Sequence, residues 1–270
     1  MARIDELWRY DGRHAVVTGC ASGIGAQVAH QLGELGARVT GLDLRPALGV
    51  NDFREVDLSD PASIDSAVAS IEDPVDALFN VAGVSSGIGD PLKVVTINFL
   101  GLRHLTEVLI PRMPAGSSIV SVSSLAAAAY REHGQQVAPL LRTATMQEGV
   151  RWCAHHPDAL GTGYQLSKEA IILYTMRSAV GLGKRGIRIN CTGPGVTETP
   201  ILHQLRDAYG PAYLDDIAKP LGRVSDPAEQ AAVLVFLNSR AASYISGQVV
   251  WTDGGTVGAA IGAELEEGRA

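Results

Sequence analysis

Cysteine is scarce in this sequence. Three residues, Cys20, Cys153 and Cys191, stand far apart in 270 positions, which excludes a disulfide-built scaffold and leaves no pair at zinc-binding spacing. We read them as small apolar packing residues. Charge is also sparse, at 19% of residues, and the excess is acidic, with a net charge of -7. An acidic chain lacks the basic footprint that a phosphate backbone requires, so nucleic acid is not an expected partner. No uncharged apolar run approaches the roughly 18 residues of a membrane-spanning helix. The first 13 residues mix Arg3, Asp5, Glu6 and Arg9 with single apolar residues and lack the apolar segment of a secretory signal. A cytoplasmic protein with no membrane partner is expected. His155 and His156 have no third ligand at metal spacing, and no metal is expected. What the chain does have is apolar residues, 46% of the total, enough for one large core and too many for a disordered chain.

Short β-rich runs alternate with longer helical patterns. The runs at 14–18, 38–43, 53–56, 75–79, 118–122, 187–191 and 248–251 predict seven strands. Apolar residues at helical spacing predict helices over 24–35, 61–71, 92–113, 163–182 and 227–237. Alternation of this kind builds βαβ units, hence a doubly wound α/β fold with a parallel sheet and helices on both faces. Strands buried on both faces should be apolar throughout, as these are. Nothing resembles a linker, so residues 1–270 read as one domain. Two segments break the rhythm. Residues 125–163 are too long for an ordinary connection and are partly helical over 135–141 and 146–155. Residues 199–226 carry Pro200, Pro211 and Pro220. Both emerge at the carboxyl end of the sheet, where open α/β folds hold ligands.

The turn Thr18-Gly19-Cys20-Ala21-Ser22-Gly23-Ile24-Gly25 joins the first strand to the first helix. Glycine allows a tight turn and close approach of a ligand to the backbone. The helix N-terminus that follows offers unpaired N–H groups and a positive dipole end to a pyrophosphate. A plain tight turn is the competing reading, but the position in the first βα unit favours a dinucleotide. Asp43 ends the second strand, where a carboxylate accepts hydrogen bonds from ribose hydroxyls and repels an added phosphate. Arg45 is close by, but the turn itself carries no Arg or Lys. NAD is the expected cofactor.

Further motifs appear in order along the chain: Asn80-Val81-Ala82-Gly83, Ile97-Asn98-Phe99, Ser123-Ser124, Tyr164-Gln165-Leu166-Ser167-Lys168, Pro194-Gly195-Val196-Thr197-Glu198-Thr199 and Asp253-Gly254-Gly255. Together with the glycine turn, this series resembles the classical short-chain dehydrogenase/reductase family from about residue 12 to 255. Val81 departs from the family's second Asn. The resemblance implies a Rossmann fold and a catalytic set of Asn98, Ser124, Tyr164 and Lys168. It implies nucleotide contacts from Gly19, Ser22, Gly23, Ile24, Gly25, Asp43, Leu44, Asp57, Leu58, Asn80, Ala82, Gly83, Tyr164, Lys168, Pro194, Gly195, Val196, Thr197 and Thr199. For Thr197 and Thr199 a turn or cap role competes with contact to the nicotinamide amide.

The chemistry accounts for the residue types. Tyr164 and Lys168 are four apart and share one helix face. A free phenol, with a pKa near 10, is a poor base at neutral pH; shifting it by ~3 units takes ~4 kcal/mol. An ammonium on the same face and the positive ring of an oxidised nicotinamide favour the phenolate. Tyr164 would then exchange a proton with the substrate oxygen. Lys168 would also hold the nicotinamide ribose, and Ser124 would hydrogen-bond the reacting oxygen. Asn98 would keep a relay water. Ser121 and Ser123 lie nearby, on one side of the strand together; the family's usual position is the second Ser of the pair, Ser124.

Family members usually place the Ser about a dozen residues before the Tyr, whereas here 40 separate Ser124 from Tyr164. That enlarged segment, with Leu42-Asp43-Leu44-Arg45 and Gly195-Val196-Thr197-Glu198-Thr199-Pro200, resembles the bacterial 3α-hydroxysteroid dehydrogenase/carbonyl reductase branch, which coniferyl-alcohol dehydrogenases share. The resemblance implies a small hydrophobic substrate, a bulky or cyclic secondary alcohol or ketone, with Leu125, Ala126, Val196, Ile201 and Leu202 near it. It also implies a homo-oligomer, with a dimer favoured: the long helices 92–113 and 163–182 pair between subunits in the family, an inserted segment could cover them, and residues 248–258 offer another two-fold contact. A fold alone does not fix an activity, so a non-catalytic dinucleotide sensor is the competing class. Retention of Ser124, Tyr164 and Lys168 together speaks for an enzyme. An epimerase or dehydratase would be expected to carry a larger substrate domain.

Overall fold

A computed structural model of the chain describes residues 3–268. Its centre is one sheet of seven parallel strands in the order β3-β2-β1-β4-β5-β6-β7. The strands are β1 His14–Thr18, β2 Arg38–Asp43, β3 Asp52–Glu55, β4 Ala77–Asn80, β5 Ser118–Val122, β6 Arg188–Pro194 and β7 Val249–Thr252. Strand order reverses between β1 and β4, which opens a crevice at their carboxyl ends. The doubly wound expectation holds.

Consecutive residues along the central strands enter different cores. Val16, Leu78 and Ile119 pack on one face with Phe99, Leu105 and Ile171. Val17, Phe79 and Val120 pack on the other with Val28, Leu32 and Leu234. Both sets are fully buried, which is why these strands read as unbroken apolar runs. Boundaries differ from expectation by one to three residues, as at β4 and at the longer β6.

The helix expected over 92–113 is present but does not keep one hydrogen-bond pattern. It runs as Pro91–Val95, a π-helical turn Thr96–Gly101, Leu102–Leu109 and a 3-10 turn Ile110–Arg112. Two local contacts accompany the change. Gly101 lies so close to Leu58 that an added Cβ would meet its carbonyl oxygen at 2.0 Å. Within the turn, the Asn98 side chain bonds the Val84 backbone. π turns of this kind recur at functional sites. The structure also contains helices not expected from the sequence, among them Ile4–Trp8, Pro200–Tyr209 and Thr256–Glu266.

The long segment before residue 164 folds as helices Gly134–Arg142, Met146–His155 and Pro157–Leu160. It is fastened from below by Arg103, a guanidinium only 3% exposed. Arg103 donates to the carbonyls of Leu140, Thr143 and Thr145 and to Thr143 Oγ1. From the side, His133 Nδ1 sits 2.7 Å from the buried carboxylate of Glu169. The segment therefore packs against the helices on either side of the crevice mouth. Removing the guanidinium takes a charged donor from these buried acceptors, a loss of about 2–4 kcal/mol. Arg103→Leu should lower Tm by roughly 5–10 °C, read by differential scanning calorimetry; an unchanged Tm would show that the clamp carries no stability.

Candidate active site

The crevice holds a cleft of about 820 Å³. Its floor is the glycine turn. Gly19 takes φ +72°, and a Cβ there would lie 2.8 Å from the backbone of Ala82. A Cβ on Gly25 would meet the Gly19 carbonyl oxygen at 2.1 Å. The turn thus tolerates no side chain at either position, and it brings the Gly23–Glu34 helix start flush with the loop after β4. Thr18 completes the junction: its Oγ1 accepts from the N–H groups of Val81 and Ala82, each at 3.0 Å. Ser22, at the N-cap, makes no capping hydrogen bond, and the first helical turn carries no acid. Open N–H groups, a positive helix end and a wall with no side chain suit a pyrophosphate.

Asp43 closes this end. Its carboxylate accepts from Ala21 N at 3.0 Å and from Arg45 N at 3.1 Å. Arg45 reaches Ser22 Oγ at 3.5 Å. Asp57 lies further along the rim; Ser59 donates to it through both N–H and Oγ and so holds its carboxyl below the usual range.

The opposite wall is the start of the Tyr164–Gly183 helix. Gly163, in the left-handed region at φ +76°, turns the chain into that helix. Tyr164 and Lys168 share the inward face, with Lys168 Nζ 5.6 Å from the Tyr164 ring centroid. The Lys168 ammonium donates to Val122 O at the end of β5 at 3.0 Å. Burial pushes its pKa down to about 8. Burial also raises the Tyr164 phenol above its ordinary value; the Ser124 hydroxyl beside it pulls the other way, and the Tyr213 phenol adds to the rise.

Three serines crowd the end of β5, and the structure separates them. Ser121 accepts from Asn80 Nδ2, and Ser123 donates to Lys168 O at 2.7 Å, tying the helix to the strand. Ser124 accepts from Ala126 N at 3.2 Å, which leaves its proton available to the cleft. It is the serine that neighbours Tyr164.

All of the sequence-predicted site residues line this cleft except Asn80 and Asn98. Asn80 is turned inward, its amide donating to Thr106 Oγ1 and Ser121 Oγ. Asn98 is fully buried behind Gly83. Its Oδ1 accepts from Val84 N and its Nδ2 donates to Val84 O. Thr197 is engaged with Ser225 Oγ at 2.9 Å and with Gly195 O. The five apolar residues expected near a substrate are present, and Leu205, Tyr213, Leu214 and Ile217 join them. Helical spacing from Ile201 and Leu202 could have pointed to Leu205; the other three depend on how the segment folds back. Among the described residues, no helix is long and apolar enough to cross a membrane.

A nucleotide-sized crevice with this tyrosine, lysine and serine on one wall defines a class, the nucleotide-dependent oxidoreductases. Comparison with known proteins agrees. Residues 13–136 match the family described as short chain dehydrogenase, and residues 152–257 match the one described as enoyl-(acyl carrier protein) reductase. The unmatched stretch between them lies inside the inserted helices. The chain is 37% identical over 242 residues to a coniferyl-alcohol dehydrogenase of Pseudomonas sp. (strain HR199 / DSM 7063), covering 89% of this chain and 94% of that protein. It is 32% identical to a 3-alpha-hydroxysteroid dehydrogenase/carbonyl reductase of Comamonas testosteroni, covering 89% and 95%. Among solved structures, the 3-alpha-hydroxysteroid dehydrogenase of Pseudomonas sp. B-0831, complexed with NADH, superposes with a TM-score of 0.79 at 30% identity, over 95% of this chain and 99% of that one. The chain belongs to the short-chain dehydrogenase/reductase family and is an oxidoreductase.

Lys168 supplies a test that needs no substrate. Its folded pKa lies near 8 and its ordinary value is 10.5, so between these limits the unfolded chain binds more protons and stability rises with pH. The Tm of the wild type relative to Lys168→Met should therefore climb as pH is raised from about 8 toward 10.5. A difference that stays flat across that window would mean that the ammonium is not desolvated.

Proposed function

We propose that this protein transfers hydride between NAD(H) and a bulky or cyclic secondary alcohol or ketone. The observation that carries the reading is the convergence of Ser124, Tyr164 and Lys168 on one wall of a cleft with a glycine-floored pyrophosphate cradle at one end and apolar side chains at the other. Gly19, Gly23 and Gly25 would hold the pyrophosphate, Asp43 the adenosine ribose, and Lys168 the nicotinamide ribose. Bound there, the nicotinamide gives or takes the hydride.

The remaining work falls to the protein's own groups. Ser124 donates to the substrate oxygen and steadies the charge that develops on it. Tyr164 exchanges a proton with that oxygen. Lys168, desolvated and held on Val122 O, presents its charge to the phenol. Asn98 fixes the wall behind Gly83, and its Oδ1 faces the Lys168 side of that glycine, where a relay water would sit. The carboxylate of Asp43 favours NAD, because an added phosphate would meet it directly.

A homodimer goes with this reading. The inserted helices pack over the face that the family pairs, whereas β7 ends the sheet with no further strand among the described residues, and the Thr256–Glu266 helix that follows it buries no residue and exposes Ile261 and Leu265. A cytoplasmic setting also fits, since all three cysteines are free and buried, as a reducing compartment allows.

Two substitutions test the reading. Tyr164→Phe should cut alcohol oxidation by about 10³-fold or more while NADH fluorescence titration shows binding retained. Asp43→Ser should narrow the preference for NAD over NADP by roughly tenfold or more. Turnover that survives Tyr164→Phe, or a wild type that favours NADP, would contradict it.

A further inference from the structure

The segment over the far end of the cleft is built to hold one face fixed. It comprises the Pro200–Tyr209 helix and the 3-10 turn Pro211–Leu214. Ser85 Oγ lies 3.3 Å from Gln204 Oε1 on the helix. Lys219 Nζ donates to Leu214 O at 2.8 Å and to Ile217 O at 2.9 Å, pinning the turn and the chain after it. Within the cleft this lid contributes the apolar side chains of Ile201, Leu202, Leu205, Leu214 and Ile217, and one phenol, Tyr213. Tyr213 is half exposed, and its ring stacks on Tyr209 at 4.6 Å between centroids, so little side-chain freedom remains to be lost when a ligand arrives. Tyr213 is near enough to Tyr164 to oppose ionisation of the Tyr164 phenol.

Charge is distributed unevenly over the same cleft. Among its lining residues the carboxylates and the guanidinium, Asp43, Asp57 and Arg45, stand at the ends of β2 and β3, and Lys168 stands beside Tyr164. None of the lid residues that line the cleft is charged. An anionic substrate would therefore enter an apolar enclosure with no counter-ion, at a high desolvation cost.

Resting on the hydride-transfer reading above, we propose that Tyr213 contacts the substrate and sets its class: an uncharged, ring-bearing secondary alcohol or ketone that carries a second oxygen, apart from the reacting carbon, for the Tyr213 hydroxyl to hydrogen-bond. The lid's apolar side chains take the ring, Ser124 and Tyr164 take the reacting oxygen, and Tyr213 takes the remote one. A phenol suits this task because its hydroxyl both donates and accepts, so it serves a remote hydroxyl or a remote carbonyl equally.

The experiment is steady-state kinetics with NAD on three matched alcohols: α-methylbenzyl alcohol, its para-hydroxy derivative and its para-carboxylate. Wild type and Tyr213→Phe are compared, with NADH fluorescence titration showing that the variant is folded. Wild type should prefer the para-hydroxy alcohol to the parent. In Tyr213→Phe that preference, taken as the ratio of kcat/KM values, should fall about fivefold, the scale of one neutral hydrogen bond. The carboxylate should be poorer than either neutral alcohol by about 100-fold in both proteins. A preference that is the same in the variant, an equal loss on both neutral alcohols, or efficient turnover of the carboxylate would overturn the proposal. Failure of wild type on all three alcohols would instead overturn the hydride-transfer reading, and this proposal with it.

Discussion

A single buried ammonium organises the site. Lys168 is 5% exposed, bonds the last carbonyl of β5, and lies one helical turn from Tyr164. No carboxylate among the described residues pairs with it, and burial draws its pKa down to about 8. A lysine in that position is a standing cost to the fold. It is tolerable because the surrounding parts are over-determined: Ser123 ties the Lys168 backbone to the strand end, and Gly163 sets the entry of the helix.

The same economy of space runs through the other wall. The turn at Gly19 and Gly25 packs backbone against backbone, and Thr18 binds it to the loop after β4 with two hydrogen bonds. The crevice is therefore open without being loose. Its two ends differ in chemistry. Charged groups and open N–H groups gather at the ends of β1, β2 and β3, while the lid and the start of the inserted segment supply apolar surface. A ligand with a charged half and an apolar partner fits that asymmetry better than two polar ligands would.

Much of this was legible in the residues. The apolar runs of β1, β4 and β5 announce strands buried on both faces, and the spacing of Tyr164 and Lys168 puts them on one side of a helix. What escaped depends on contacts distant in sequence. The π turn at Thr96–Gly101 sits where Gly101 meets the Leu58 carbonyl, a neighbour that no local pattern reveals. Asn80 was expected in the cleft and instead turns inward to Thr106 and Ser121. Arg103 carries no local signal of its role, yet it is buried under the inserted segment, whose carbonyls it serves. The Thr256–Glu266 helix carries Val257, Ile261 and Leu265 at four-residue spacing, yet none of its residues is buried. Tyr213 lies within a proline-marked stretch whose folding back over the cleft is a tertiary event.

The central claim is that the Tyr164 phenol, raised by burial, becomes acidic only when positive charge is assembled beside it. The most direct measurement is the proton stoichiometry of NAD⁺ binding near pH 8, obtained by isothermal titration calorimetry in buffers of different ionisation enthalpy. The account predicts release of a substantial fraction of a proton by the wild type and a clearly smaller release by the variant that lacks only the phenolic oxygen. Equal release from the two proteins, or none from either, would contradict it.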